Sequence, residues 1–368
     1  MKFIANCAEL YALVEFASRF AMKPKADPVM SLVNLELVGD VLHIRTTNRA
    51  VYIDVTLFVM GEDDGNVLVD KALLSTILKT IGEGDVAFSG KKRLTIKCGD
   101  KKRTMTTADG NNFSPYPKVL GDSVATLNGK MLLDILNMVE MARNRTDFSI
   151  LSGYYISTTA GIIATTDGTR AACYFLDLDV ELEMILSEGG KTVLGRMLRL
   201  LGDSDVNIRG TASSWVEIAA GNIRACVATI AGEYPTVIES WAKSLPLKIS
   251  EGTTARTNKE VLMPSLQAAT LYSRYAADAF LPSAVTLTLE QTIGISLHLH
   301  TPQGDLDDVL AINIAGKDAK VDLHPAYLLG AVNSLPEDEV FITVWGELEP
   351  VLVHSGNFIS ILMPIRRT

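Results

Sequence analysis

Three groups of residues in this sequence have the types and spacing that chemistry uses. Gly189-Gly190-Lys191-Thr192 reads like the end of a phosphate-binding loop. That loop needs another glycine five positions before Gly190, and Ile185 stands there, so the glycines instead punctuate a strand-to-helix turn. His298 and His300 stand two apart, which on a strand puts both imidazoles on one face, where a metal ion would find two ligands. No third ligand follows at a recognisable spacing, and a pair of sheet-face histidines is the simpler reading. Asp305, Asp307 and Asp308 beside Gly304 offer oxygens to a cation, but the default for such a cluster is an exposed acidic turn. Cys7, Cys98, Cys173 and Cys226 form no CxxC and read as buried free thiols of a reducing cytoplasm. No serine has the setting of a nucleophile elbow. No catalytic constellation emerges, and no cofactor or metal is called for.

Charge asks for a different kind of partner. The chain has 368 residues and a net charge of −9, which by itself argues against nucleic acid. The sign is uneven, however. Six windows with helical patterning (7–25, 70–82, 127–145, 191–201, 258–278 and 324–334) together hold more Lys and Arg than Asp and Glu. The remainder is therefore more acidic than the whole. Basic helices on an acidic body suggest one positive surface within a self-repelling shell; ordinary solvated helix faces would look the same. No apolar run approaches the roughly 20 residues that span a bilayer. The start, MKFIANCAEL, has no signal-peptide core, so the mature chain is expected to begin near Met1 in the cytoplasm.

The elements that carry these charges recur. DKALLSTILKTIGEGDVAFSG (70–90) has helical apolar spacing at Leu73, Leu74, Ile77, Leu78 and Ile81, breaks at Gly82, and resumes as an alternating strand at Val86 and Phe88. KTVLGRMLRLLGDSDVNIRG (191–210) and HPAYLLGAVNSLPEDEVFITVWG (324–346) repeat the plan. Each copy separates the last helical apolar residue from the first strand residue by the same interval: Ile81 to Val86, Leu201 to Val206, Leu335 to Val340. A fixed interval at three distant places indicates a domain-sized repeat. TTDGTRAACY (165–174) echoes TTNRAVY (46–52), a second trace of duplication.

The rest of the chain falls into line with three domains, 1–121, 122–247 and 248–368. The first opens with a helix near 7–22 (Leu10, Leu13, Val14, Ala17, Phe20), closed by Pro24 and Pro28, then a hairpin turning at Gly39-Asp40 and strands near 93–97 and 102–107. The second opens with a helix near 128–142 whose stripe is Met131, Ile135, Met138, Val139 and Ala142, then a polar loop 143–147 and a hairpin turning at 159–161. A loose linker over 243–257 precedes the third, with a helix near 259–277 that has Pro264 in its first turn or at a kink. Its hairpin runs through Val285, Leu287, Leu289, Ile293, Ile295, Leu297 and Leu299, and its last strand is 358–363. The fold class is α+β, each domain two helices packed on antiparallel sheet.

Several segments, taken together, carry a family resemblance: the three-fold repeat, VLVDKALLSTIL, TTDGTRA, LHPAYLLGAV and the terminal MPIRR. End to end, the chain resembles the bacterial DNA sliding clamp, the beta subunit of the replicative polymerase. The resemblance implies three clamp-type domains per chain and a head-to-tail homodimer closing a six-domain ring around double-stranded DNA. Its contact with DNA would be non-specific and salt-sensitive. It would be a processivity factor and not an enzyme. It further implies DNA-facing cations at Lys23, Lys25, Lys79, Arg143, Arg145, Arg196 and Arg199. The family usually has an arginine where Pro24 stands. A cleft for short peptides of polymerases, clamp loader and repair proteins maps to Leu151, Thr166, Gly168, Thr169, Arg170, Ala171, Pro235, Leu348, Ile361, Met363, Pro364, Ile365 and Arg366. Thr169 replaces a common histidine and Ala171 a larger apolar residue, which reshapes that pocket. The dimer joint maps to Met105 against Thr270 and Leu271. Two rival readings stay open: a clamp-like peptide scaffold that does not close on DNA, and a metal-dependent hydrolase built on the His298/His300 face.

Overall fold

The structure is a computed structural model that describes residues 1–119, 124–146, 149–178, 180–210, 214–275 and 284–366. Asp147, Arg367, the end of the third-domain helix at 276–277 and the expected first boundary at 121 lie outside the described residues.

Among the described residues the helices are α1 (Cys7–Ser18), α2 (Lys71–Ile81), α3 (Gly129–Val139), α4 (Glu188–Leu201), α5 (Thr236–Ser244), α6 (Lys259–Tyr272) and α7 (Pro325–Ser334). The repeat is visible in the way the strands flank them. A strand runs straight into the first helix of each repeat, and it pairs antiparallel with the strand that follows the second helix. Ala5 lies opposite Val86, Leu127 opposite Val206, and Thr257 opposite Val340. An asparagine stands at each strand-to-helix junction: Asn6, Asn128 and Asn258. Asn6 Oδ1 accepts from the backbone N–H groups of Ala8 and Glu9, and Asn128 Oδ1 from that of Met131 at 2.9 Å, satisfying donors that the first helical turn leaves over.

By contact the chain forms two compact units. The first comprises Met1–Leu133 and Leu186–Thr229. Its larger sheet has nine strands, because the strand Val51–Phe58 pairs with Ile223–Ala228 (Val55 opposite Ile223) and so fuses strands from two repeats. Its smaller sheet has five strands and ends at the edge strand Lys101–Thr106. The core carries Phe3 stacked on Phe88 with centroids 4.6 Å apart.

The second unit comprises Asp134–Ile185 and Ile230–Thr368. Here Arg170–Phe175 pairs with Phe358–Leu362 (Ala171 opposite Ile361), the same fusion one repeat later, again giving nine strands. Its second sheet has four strands and ends at the edge strand Gly304–Leu310.

Several expectations need correction. Ile135, Val139 and Ala142 are buried as expected, but Leu132 and Leu136 complete the stripe of α3 and the turn after it, while Met131 is 39% exposed and Met138 only half-buried. Leu73 on α2 is likewise exposed, and Ile293 sits in the hairpin turn and not in the strand. α1 ends at Ser18, well before Pro24, and tapers through three-residue turns (Phe20 N–H to Ala17 O, 3.0 Å). Pro264 lies in the second turn of α6, which continues past it. The acidic turn at 305–308 is a strand. The loose linker is ordered: α5 reaches Ser244, a 3-10 turn covers Pro246–Glu251 and a strand starts at Thr253. Gly190 is in the first turn of α4, where a Cβ would stand 2.3 Å from Leu186 Cδ1, so close packing explains the glycine without any phosphate. The four thiols are free, but Cys98 is only half-buried.

Candidate functional site

In the second unit, the strands Ile162–Thr166, Arg170–Phe175 and Phe358–Leu362 are neighbours, and they bring most of the expected cleft residues together. The turn between the first two is built by Asp167, whose Oδ1 accepts from the N–H groups of Thr169 (2.9 Å) and Arg170 (3.1 Å). Gly168 holds φ +90° there, a conformation that side chains oppose. The first unit repeats the device: Asn48 Oδ1 accepts from Ala50 N–H and Val51 N–H, with Arg49 at φ +71°. Past the last strand, Met363 N–H donates to Thr169 O (3.0 Å) and Ile365 N–H to Asp322 O (2.8 Å), which pins the terminal segment along the sheet.

The result is a groove of about 390 Å³ lined by Lys320, Val321, Asp322, Glu347, Leu348, Ile365 and Arg366. Leu348 is 60% exposed, an apolar side chain with no cover in the chain itself. Of the expected cleft residues, Leu348, Ile365 and Arg366 line this groove; Ala171, Ile361 and Thr166 are buried in the sheet and are not part of its lining. Leu151 packs against the same core as Ala171 and Ile361; Pro235, half-buried, caps α5 beside Tyr234, which stacks on Tyr155 at 4.7 Å. Gly168 and Thr169 are exposed, and Pro364 is half-buried.

Two residues that sequence reasoning passed over belong here. The Arg170 guanidinium, held by Asp167 (2.8 Å), lies 4.0 Å over the Tyr327 ring, and His324 stacks on the same ring with centroids 4.3 Å apart. Burial, and then the charge of Arg170, pushes the His324 imidazole below its usual range, so it is neutral at pH 7. Both lie in the LHPAYLLGAV segment, where one turn of helix carries His, Pro and Tyr before the apolar run begins.

The expected DNA cations divide. In the first unit Lys23, Lys25, Lys79 and Arg199 are exposed. Arg196 has its guanidinium 5.8 Å from the Phe20 ring. Partial burial, with Arg19 and Arg199 as like-charged neighbours, lowers its proton affinity. Arg19, at the end of α1, was not among the expected residues; its place just past a helix end was the available signal. Among the described residues none of Arg19, Lys79, Arg196 and Arg199 has a carboxylate within ion-pair distance. In the second unit Arg143 is spent internally. Its Nη2 donates to Glu140 Oε1 (2.9 Å), its Nη1 to Ser152 O (2.9 Å), and it lies 5.3 Å from the Tyr154 ring. Arg145 pairs with the same Glu140 oxygen at 3.1 Å but remains 67% exposed.

Of the expected joint residues, Met105 is 2% exposed and serves its own sheet opposite Leu94. Thr270 turns its hydroxyl inward to Leu266 O (2.8 Å), and Leu271 is 54% exposed.

Residues 1–117 match the family described as DNA polymerase III beta subunit, N-terminal domain. The beta sliding clamp of Staphylococcus epidermidis (strain RP62A) is 20% identical over 366 residues, and that of Staphylococcus aureus (strain Mu50) 20% over 365, each covering 94% of both chains. The DNA polymerase III subunit beta of Pseudomonas aeruginosa superposes with a TM-score of 0.85 at 17% identity, over 100% of both chains. The beta subunit from DNA polymerase of Streptococcus pyogenes gives 0.85 at 18%, again over 100% of both. Over its whole length the chain has the fold of these sliding clamps, and its first domain is similar to the N-terminal domain of the DNA polymerase III beta subunit. The clamp fold accounts for the mixed architecture of helices on antiparallel sheets.

Proposed function

We propose that this chain is a DNA polymerase processivity factor: a homodimeric ring that encircles duplex DNA without reading sequence and tethers polymerases and the clamp loader by their peptides. The observation that carries this reading is the set of arginines on or just past helices, Arg19, Arg196 and Arg199, with no counter-ion among the described residues, on a protein of net charge −9. Leaving like charges together costs free energy unless something anionic meets them, and duplex phosphates do so at any sequence. Lys23, Lys25 and Lys79 complete the proposed surface. Arg143 and Arg145 order their own loop through Glu140 and are secondary to it.

Strand logic supports the homodimer. In two places the strand after the repeat's turn pairs with the last strand of the next repeat: Val51–Phe58 with Ile223–Ala228, and Arg170–Phe175 with Phe358–Leu362. The third pair of equivalents, Gly304–Leu310 and Lys101–Thr106, are both open sheet edges. The first reads GDLDDVL and the second KKRTMT, three acids against three bases. Edge strands of opposite charge are fitted to pair between two copies, with Leu271 covering the joint.

For the groove, Leu348, Ile365, Met363, Pro364 and the Arg170–Tyr327 pair are fitted to an apolar peptide anchor, with Arg366, Lys320, Asp322 and Glu347 as polar rim. Removing the chain from Met363 onward is expected to abolish peptide capture with the fold retained. The function itself is tested on nicked circular DNA loaded with the protein. Retention on the circle and escape after linearisation is expected. Peptide capture with no retention on the circle would favour the scaffold that does not close on DNA.

A further inference from the structure

We propose that the outer face of the four-stranded sheet in the second unit holds a divalent transition-metal ion between His298 and His300. The two side chains leave the strand Gly294–Thr301 on the same face, with Cα atoms about 6.7 Å apart for two residues of extended chain. Directly opposite on the edge strand stand Asp307 and Asp305, in register with His298 and His300 respectively. Each imidazole gives its Nδ1 to the facing carboxylate: His298 to Asp307 Oδ1 and His300 to Asp305 Oδ1.

That contact decides the tautomer. An ionised carboxylate only accepts, so Nδ1 carries the hydrogen, and the lone pair of the neutral ring sits on Nε2. Two Nε2 lone pairs are therefore presented outward from adjacent same-face positions, each ring oriented by a carboxylate behind it. This is the outer-shell arrangement that fixes the tautomer and ring orientation of metal-binding histidines. Both rings are open to solvent, at 50% and 71% side-chain exposure. Thr286 lies beside His298 in the same row on the next strand and donates its hydroxyl to Asp322, the carboxylate beyond it on that face. Lys320 is one row further along, opposite Thr288.

Among the described residues no three His, Cys, Asp or Glu side chains converge as a ready-made cage. The site is accordingly an open one, two imidazoles with water in the remaining positions. Imidazole donors select Cu²⁺, Ni²⁺ and Zn²⁺ over Mg²⁺ and Ca²⁺, and among these Cu²⁺ binds tightest. The site is not catalytic and does not rest on the DNA reading.

The test is calorimetric titration of the full chain with Cu²⁺ and Ni²⁺ in a non-coordinating buffer. One ion per chain is expected at a site lost in His298→Ala and in His300→Ala. Asp305→Asn and Asp307→Asn are expected to weaken it by about ten-fold or more through loss of the orienting carboxylate. These positions are exposed in the single chain, so circular dichroism is expected to be unchanged; Asp305 and Asp307 also lie on the edge proposed for the dimer joint, so binding is scored per chain with the solution mass of each variant measured alongside. Absence of a stoichiometric site in the wild type, or one that survives His298→Ala and His300→Ala combined, would overturn the assignment. Affinity undiminished in both aspartate variants would overturn the role given to the carboxylates.

Discussion

Arg143 in the second unit and Arg196 in the first look alike in the sequence: each is an arginine at or near a helix in an acidic chain proposed to bind DNA. The structure treats them differently. Arg143 meets Glu140, a backbone carbonyl and a tyrosine ring. Arg196 meets two other arginines and a phenylalanine. Sequence counts charges but not their counter-ions, and a cation already neutralised inside the chain has little left for a phosphate.

The contrast is broken most directly by charge reversal. Arg196→Glu with Arg199→Glu is expected to abolish measurable duplex binding. The milder pair Arg196→Ala and Arg199→Ala is expected to weaken all sequences alike and to flatten the plot of log K against log salt by about 1 for each lost phosphate contact. Arg143→Ala is expected to do the opposite: little change in the salt slope, but about 2–3 kcal/mol of stability lost, because Glu140 is left partly buried with one fewer partner. Fluorescence titration at several salt concentrations and urea unfolding read the two effects. A salt slope that responds to Arg143 and ignores Arg196 would reverse the assignment.

Acid sharpens the comparison further. Burial lowers the pKa of His324 and of His354, both in the second unit. Their native values lie below the unfolded one of about 6.5, so the unfolded chain takes up protons first. Stability is therefore full above about pH 6.5 and declines as pH falls from there toward the native values. In the first unit, burial of Asp54 is outweighed by hydrogen bonding to His43 and the charge of Arg45, and its carboxyl is held low. Its contribution persists until the pH drops below about 4, the unfolded value, and is lost as it falls through the native one. Hydrogen exchange resolved by segment between pH 8 and 5 is expected to show protection falling first around His324 and His354, and His324→Gln to reduce that fall. The smallest effect is expected at Met131: Met131→Gln changes stability by no more than about 0.5 kcal/mol, since the side chain faces solvent.

Much of the fold was legible. The interval from last helical apolar residue to first strand residue located three helix–strand junctions, because a tight turn fixes that spacing whatever the side chains around it. The asparagines at 6, 128 and 258 are an equally regular mark that the sequence offered and the reading passed over. α5 was missed because nine residues after a proline carry too few apolar positions to show a period. The stripe of α3 was legible at Ile135, Val139 and Ala142 but not at its start, because GKMLLDILNMV offers Met, Leu and Leu in succession and packing buries Leu132 in place of Met131. For the groove, the resemblance supplied positions but not depth. Ala171 and Ile361 are buried, Leu348 is surface, and Arg170 rests on Tyr327, which stacks with His324.

The solution mass tests the central claim most directly. Two copies joined through the edges Lys101–Thr106 and Gly304–Leu310 require a species of about twice the 39.9 kDa chain mass by light scattering at micromolar concentration and low salt. Reversing the three basic residues of the first edge is expected to halve it, and reversing the three acidic residues of the other in the same chain to restore it. A wild-type mass of 39.9 kDa under those conditions would contradict the ring.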